Sequence, residues 1–464
     1  MAGLLRKKIV TERPHAEQLA RTLSWPHLVA LGVGAIVGTG ILTLIGVGAG
    51  LAGPSVILSF VIAGSICACA ALAYAEMATM IPASGSAYTY SYVVIGEAVA
   101  WIIGWSLILE YSLVVSTVAV GWSGYAAPLL QSAFGFPDAL AKSPELGGVV
   151  NLPAIFIIAV VAAVLCAGTK ESATLNAVLV VVKIVALAVF VAVALPAFDA
   201  TNLEPFMPYG FSKALGPDGV ERGVMAAAAI IFFAFYGFDA ISTAAEETRN
   251  PGRDLAIGIV GSMVACVAIY ILVAVAAVGA LPFTRFAASA EPLALILREI
   301  GSPRVAVFLG ASAVIALPTV LLAFLFGQSR IFFTMARDGL LPQSLATVSS
   351  RGAPVRITLV TAAIVAVLAG LLPLGEIAAL ANAGTLAAFV AVCACMLIMR
   401  RRAPDAPRTF RAPAAWIVGP AGILGCLYLF LSLPRSTQLY FLAWNAAGLL
   451  LYFVYARPRA IARG

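Results

Sequence analysis

The sequence predicts an all-α polytopic membrane protein with 12 transmembrane helices, and three observations carry that prediction. Of its 464 residues, 62% are hydrophobic and 11% charged, with a mean hydropathy of +1.04. A soluble domain is about 45–50% apolar and about 25% charged, so this chain lacks the polar groups to cover a water-facing surface. Residues 22–75 contain no Asp, Glu, Lys or Arg, which is room for two spans of roughly 20 residues and a turn. The third observation is a pair of interruptions inside apolar segments, at corresponding places in the two halves of the chain. Readings of the whole chain as a soluble enzyme, a nucleic-acid binder or a disordered protein are excluded.

Uncharged runs between charged or turn-rich punctuation place the spans at about 27–51, 54–80, 97–132, 152–169, 172–196, 223–249, 253–281, 303–337, 355–372, 375–400, 414–433 and 437–456. Gly53-Pro54 and Asn250-Pro251-Gly252 are the clearest separators. Each run suits a hydrocarbon slab of about 30 Å, and the period-two alternation of barrel strands is missing. The expected organisation is an N-terminal tail (1–26), a core (27–400) holding spans 1–5 and 6–10, two further spans (401–456) and a C-terminal tail (457–464).

With 12 spans both termini share one side. Twenty of the 28 Lys and Arg fall on that side, seven on the other, and Lys183 lies inside span 5. Cationic loops stay cytoplasmic, so both tails are expected in the cytoplasm and the protein in the cell (plasma) membrane. The same rule explains the net charge of +7 without an acidic partner.

Cysteine and histidine arithmetic removes several chemistries. Cys67, Cys69, Cys166, Cys266, Cys393, Cys395 and Cys426 are odd in number, lie in apolar runs and form no CxxC. The two histidines, His15 and His27, are both near the N-terminus. This pattern offers no zinc site, disulfide framework or Cys–His nucleophile. The first 26 residues carry Arg6, Lys7, Lys8, Arg13 and Arg21 but no apolar core with a cleavage site, as a secretory leader requires.

The interruptions carry the functional signal. Span 1 contains Gly32, Gly34, Gly38 and Gly40, each costing about 1 kcal/mol of helix stability relative to Ala. Span 6 contains Phe232-Phe233-Ala234-Phe235-Tyr236-Gly237-Phe238-Asp239, a Gly and an acid at mid-membrane. Close helix packing would account for the first segment alone. Paired breaks, each opening a group of five spans, point to an inverted-repeat transporter with its site at the breaks. Unwound backbone survives at that depth where it lines a cavity. Freed N–H groups suit a carboxylate and freed C=O groups an ammonium, so one zwitterion satisfies both.

These residues resemble the amino acid–polyamine–organocation (APC) superfamily. Gly34-Ala35-Ile36-Val37-Gly38-Thr39-Gly40-Ile41 is similar to its helix 1 signature. Tyr74-Ala75-Glu76-Met77 with Pro82, Gly85, Tyr88 and Tyr90 resembles its loop after helix 2. Glu246-Glu247-Thr248-Arg249-Asn250-Pro251 with Arg253-Asp254 resembles the loop after helix 6, and Arg337-Asp338-Gly339-Leu340-Leu341-Pro342 the end of helix 8. Leu109-Glu110-Tyr111 with Ala119-Val120-Gly121-Trp122-Ser123-Gly124-Tyr125 resembles the cationic amino acid transporter group, in a bacterial form. The likeness covers about residues 20–435.

The resemblance implies a LeuT-like five-plus-five inverted repeat with broken helices 1 and 6, working by alternating access. Gly38, Thr39 and Gly40 would donate N–H groups to the substrate carboxylate. Ile36, Phe233, Ala234 and Tyr236 would offer C=O groups to its amine. Glu110, Phe235 and Phe324 would face its side chain. No cofactor or metal is implied. The implied partners are an L-amino acid, protons and the lipid bilayer, with no nucleic acid; a small single-span helical partner is not legible.

Lys183, in Val180-Val181-Val182-Lys183-Ile184-Val185, costs at least about 2.5–3.5 kcal/mol at mid-membrane and reads as functional by default. An ammonium there would tether helix 1 by donating to its carbonyls, and both this reading and the resemblance give it proton coupling. A fixed structural pin paired with Glu110 is the plainer alternative. Glu110 is expected to line the pocket, to partner Lys183 or to carry a proton itself. Asp239 suits an N-cap for the second half of helix 6. Glu246, Glu247, Arg253, Arg330 and Arg337 suit an inner gate or solvated loop pairs, and Trp101, Trp105 and Trp122 suit packing or the membrane interface.

The expected function is proton-coupled import of small or medium neutral L-amino acids. Phe324, Phe235 and Tyr236 leave little room for a long cationic side chain. Alternatives are an amino acid/amine exchanger and a membrane amino acid sensor. A membrane enzyme finds no His–carboxylate cluster or Ser/Cys with an adjacent base within the spans.

Overall fold

The computed structural model describes Lys7 and residues 23–83, 85–167, 172–216, 218–245, 248–346 and 355–458. The expected first span is three helical pieces. Helix α1 (Trp25–Ile36) stops, α2 (Thr39–Leu42) restarts beyond Val37 and Gly38, and α3 (Leu44–Ala52) follows a kink at Thr43. Then come α4 (Val56–Met80), α5 (Ser86–Val94), α6 (Glu97–Phe134), α7 (Leu152–Ala167) and α8 (Ser172–Ala194). The sixth span is divided as well, into α9 (Val224–Ile231), a 3-10 turn at Phe232–Ala234 and α10 (Phe238–Thr243).

The chain continues through α11 (Pro251–Ala280), α12 (Phe283–Phe286), α13 (Pro292–Glu299), α14 (Pro303–Ala316), α15 (Pro318–Arg337), α16 (Val355–Leu371), α17 (Leu374–Arg402), α18 (Ala415–Ser432) and α19 (Arg435–Leu451). A short hairpin pairs β1 (Ala214–Leu215) with β2 (Glu221–Arg222). Among the described residues, ten helical stretches are long and apolar enough to cross a membrane, and Leu152–Cys166 and Val355–Leu371 are shorter apolar helices. The protein is a multi-pass membrane protein.

Two elements differ from the sequence expectation. The run 303–337 divides at Leu317, because Pro318 has no N–H to donate and its ring clashes with the carbonyl one turn back. The tract after α4, expected as a loop, folds into α5. Its tyrosines supply the reason: Tyr88 and Tyr90 are fully buried, and burying their rings offsets the cost of ordering a nine-residue helix.

Helix α4 packs on α11, α18 and α9, while α1 packs on α11 and α8. Helix α6 is central to the other side, against α17, α15, α7 and α16. Outward faces are apolar, as at Val181, Val264, Ile417 and Val454, which suits lipid and would aggregate in water. The packing tryptophans also close polar accounts. Trp105 Nε1 donates to Trp444 O (2.8 Å), Trp444 Nε1 to Trp105 O (3.0 Å) and Trp122 Nε1 to Val314 O (2.7 Å).

At one end of α4, the fully buried Glu76 gathers four donors. Arg400 Nε and Nη2 reach it at 2.7 and 2.6 Å, Arg408 Nε at 3.1 Å and the Ala412 amide at 2.8 Å. A buried carboxylate needs this degree of pairing. The network pins the segment between α17 and α18 to α4.

Candidate functional site

The two interruptions meet. An added Cβ on Gly40 would stand 2.3 Å from Ala234 Cα, and one on Gly237 would stand 2.9 Å from the Ala35 carbonyl carbon. Gly237 has φ +126°, which L side chains rarely adopt, so glycine is required there twice over. Neighbouring helices press equally closely: a Cβ on Gly121 of α6 would sit 2.3 Å from Thr39 Cγ2.

The first break begins where the Val37 amide makes the last α1 bond, to Val33 O at 2.8 Å. Beyond extended Gly38, α2 starts with first-turn N–H groups that have no acceptor one turn back. Side chains take carbonyls on both sides of the break. Lys183 Nζ donates to Gly34 O and Val37 O, both at 2.9 Å. Tyr270 Oη donates to Ile36 O at 2.7 Å and Tyr125 Oη to Leu42 O at 2.5 Å. Glycine at position 34 lets α8 come this near, since a Cβ there would stand 2.8 Å from Val180 Cγ2.

At the second break, Asn382 Nδ2 donates to Ala229 O at 2.6 Å and Ile230 O at 3.1 Å. The Gly237 amide donates to Asp239 Oδ1 at 3.0 Å, and Tyr111 Oη donates to Asp239 Oδ2 at 2.9 Å. The N-cap of α10 is therefore Gly237, and Asp239 acts from inside the first turn.

A small cavity of about 10 Å³ lies between the breaks, lined by Ile36, Gly38, Thr39, Gly40, Phe233, Tyr236 and Phe324, all expected from the sequence. That is about the room of one water, too little for a molecule the size of an amino acid.

Other expected residues lie elsewhere. Ala234 sits behind Gly40. Phe235 turns its ring to Phe60 and Tyr270, with centroids 5.9 and 5.2 Å away. Glu110 packs against Gly384 of α17, and its carboxylate has no hydrogen-bond partner among the described residues. It does not meet Lys183, whose ammonium is engaged with α1. For the suggested inner gate, Glu246 and Glu247 lie outside the described residues. Arg253 is exposed, Arg330 stacks over Phe326, and Arg337 lies over Phe333.

Sequence reasoning missed Ala35 of α1, Val114 and Val118 of α6 and Val320 of α15, which complete the lining. Apolar side chains in apolar spans carry no distinguishing signal. It also missed Tyr270 and Asn382. The signal for Asn382 was present, as an amide alone in an apolar run.

The chain matches the amino acid permease family over residues 23–454. The chain belongs to this family. Within it, the permease is 43% identical to the branched-chain amino acid permease BcaP of Bacillus subtilis (strain 168), covering 99% of this chain and 98% of the relative. It is 40% identical to the methylthioribose transporter of the same organism, over 99% of both chains. It is 39% identical to the vacuolar cationic amino acid transporter 2 of Arabidopsis thaliana, over 87% of this chain and 64% of the relative. These relatives place the permease in the APC superfamily.

Proposed function

We propose that this permease imports small or medium neutral L-amino acids across the cell membrane by proton-coupled alternating access. The observation that carries the reading is the meeting of two backbone breaks around one cavity. Gly38, Thr39 and Gly40 present N–H groups to a carboxylate from one side. Ile36, Phe233 and Tyr236, which line the cavity, present carbonyls to an ammonium, and Ile36 O keeps one lone pair beside its bond from Tyr270.

Helix contacts support the five-plus-five repeat and 12 spans, counting the two shorter apolar helices. Take α1–α3, α4, α6, α7 and α8 as spans 1–5, and α9–α10, α11, α14–α15, α16 and α17 as spans 6–10. Contacts then recur in pairs under exchange of the halves: α1 on α11 matches α9 on α4, and α6 on α17 matches α14 on α8. In this arrangement both termini are cytoplasmic, on the side that gathers most Lys and Arg.

Lys183 supports the proton coupling. It is 3% exposed, has no carboxylate partner among the described residues and holds two carbonyls of α1. Losing its proton weakens that tether and frees α1 to move; Glu110 is the second buried group able to carry a proton. The lining favours aliphatic side chains, since Val114, Val118, Val320 and Phe324 offer no partner to a charge. The relative named for branched-chain amino acids agrees with this.

The test is uptake of labelled amino acids, with methylthioribose and an amine/amino acid exchange arm, into proteoliposomes with and without an inward proton gradient. Gradient-stimulated uptake of alanine or valine is expected. Uptake that needs an internal counter-substrate and ignores the gradient would establish exchange instead, and binding without any flux would establish a sensor.

A further inference from the structure

The two breaks are held in the same way by the fifth helix of each proposed half. Lys183 of α8 binds carbonyls at the end of α1, and Asn382 of α17 binds carbonyls at the end of α9. Both side chains are buried. The amide orientation is dictated by chemistry, because only the NH2 end attracts two carbonyl oxygens. The other end, Asn382 Oδ1, is buried without a partner among the described residues. An unpartnered buried acceptor is a cost that a leucine of similar size would avoid, so packing does not explain the amide.

Register explains it. In a continuous α-helix, the N–H of Phe233 returns to Ala229 O and that of Ala234 to Ile230 O. Those are the two carbonyls that Asn382 occupies, at 2.6 and 3.1 Å. From that point the backbone tightens into the 3-10 turn Phe232–Ala234 and then leaves helical geometry until Phe238. On α1 the arithmetic repeats, since Lys183 and Tyr270 hold Gly34 O and Ile36 O, the α-helical acceptors of the Gly38 and Gly40 amides.

We propose that Asn382 is a positioning residue that keeps the second break open by competing for the carbonyls on which Phe233 and Ala234 would rewind and holding them toward α17. It thereby fixes where the carbonyls for the substrate amine emerge. An amide does not titrate, so this tether persists in every protonation state, whereas the Lys183 tether weakens when its proton is lost. Proton-linked movement then belongs to the first break, and the second supplies a constant half of the site. This rests on the substrate and coupling reading above.

The experiment compares wild type with Asn382→Leu and Asn382→Gln in detergent and in proteoliposomes. Thermal shift checks folding, binding of alanine and valine is titrated, and hydrogen exchange is followed over residues 229–236. Asn382→Leu is expected to weaken binding about tenfold or more, the scale of two lost hydrogen bonds. It is also expected to slow exchange over 229–236, because the segment rewinds. The stimulation of uptake by a proton gradient, as a ratio, is expected to stay. Asn382→Gln keeps the donors and is expected to recover part of the affinity. Unchanged binding in Asn382→Leu, faster exchange over 229–236, or a Gln variant no better than Leu would each overturn the proposal. If wild type binds no amino acid, the functional reading fails, while the exchange contrast still tests the tether by itself.

Discussion

Gly40 and Ala234 touch so closely that a single methyl group cannot be placed between them: an added Cβ would stand 2.3 Å from Ala234 Cα and 2.6 Å from its Cβ. One residue belongs to the first break and the other to the second. Their contact is what brings two distant stretches of sequence together beside one cavity.

Gly40→Val tests that contact. The branched side chain must push α2 away from Ala234 and into the cavity, whose free space is about 10 Å³. Binding of all amino acids should fall together, by about a hundredfold or more, as expected for a clash of several kcal/mol. Isothermal titration on folded protein checks it; near-normal affinity would place the site elsewhere.

Lys183→Ala removes two hydrogen bonds to α1, from Nζ to Gly34 O and Val37 O. Gradient-driven accumulation should be abolished while part of the substrate binding persists, since the proposed site holds the substrate mostly by backbone. Uptake and thermal-shift binding measured on the same preparation would separate the two. Full accumulation by the variant would remove Lys183 from coupling.

Phe324→Ser addresses size. Phe324 closes one wall of the cavity, with its ring centroid 5.3 Å from that of Tyr111 and 6.2 Å from that of Tyr236. Its removal should admit longer side chains, raising uptake of arginine or methionine relative to alanine in competition assays. If wild type takes up arginine as readily as alanine, the apolar pocket reading is wrong and Glu110 acts as a cation acceptor.

Glu76→Ala concerns stability, away from the site. The substitution leaves Arg408, whose side chain is 1% exposed, with backbone carbonyls but no counter-charge, and removes the carboxylate that pairs with Arg400. Breaking a buried pair of this kind costs about 3–5 kcal/mol. A lower midpoint of thermal unfolding in detergent is expected, with substrate affinity in the surviving folded protein little changed.

Much of the fold was legible because the bilayer imposes a simple code. Apolar length marks the spans, and a mid-membrane Gly cluster or lysine stands out against them, as at Gly38 and Lys183. The cavity was legible in part. The breaks were found from glycines and the backbone positions within them from the family resemblance, but Val114, Val118 and Val320 are indistinguishable in sequence from lipid-facing valines such as Val181. Which face of a helix turns inward is decided by its neighbours.

The sequence by itself determined the class, the approximate spans and the places where helices 1 and 6 cannot continue, because these follow from local composition and backbone freedom. Tertiary structure decided the partners. It gave Lys183 to the carbonyls of Gly34 and Val37 and left Glu110 apart from it, turned Phe235 away from the cavity, and brought Asn382 to the carbonyls of Ala229 and Ile230. Those choices depend on the rotation and depth of each helix against the others. Hydrogen bonds between residues about 150 positions apart are set by that packing and by the need to satisfy every backbone group where no water competes.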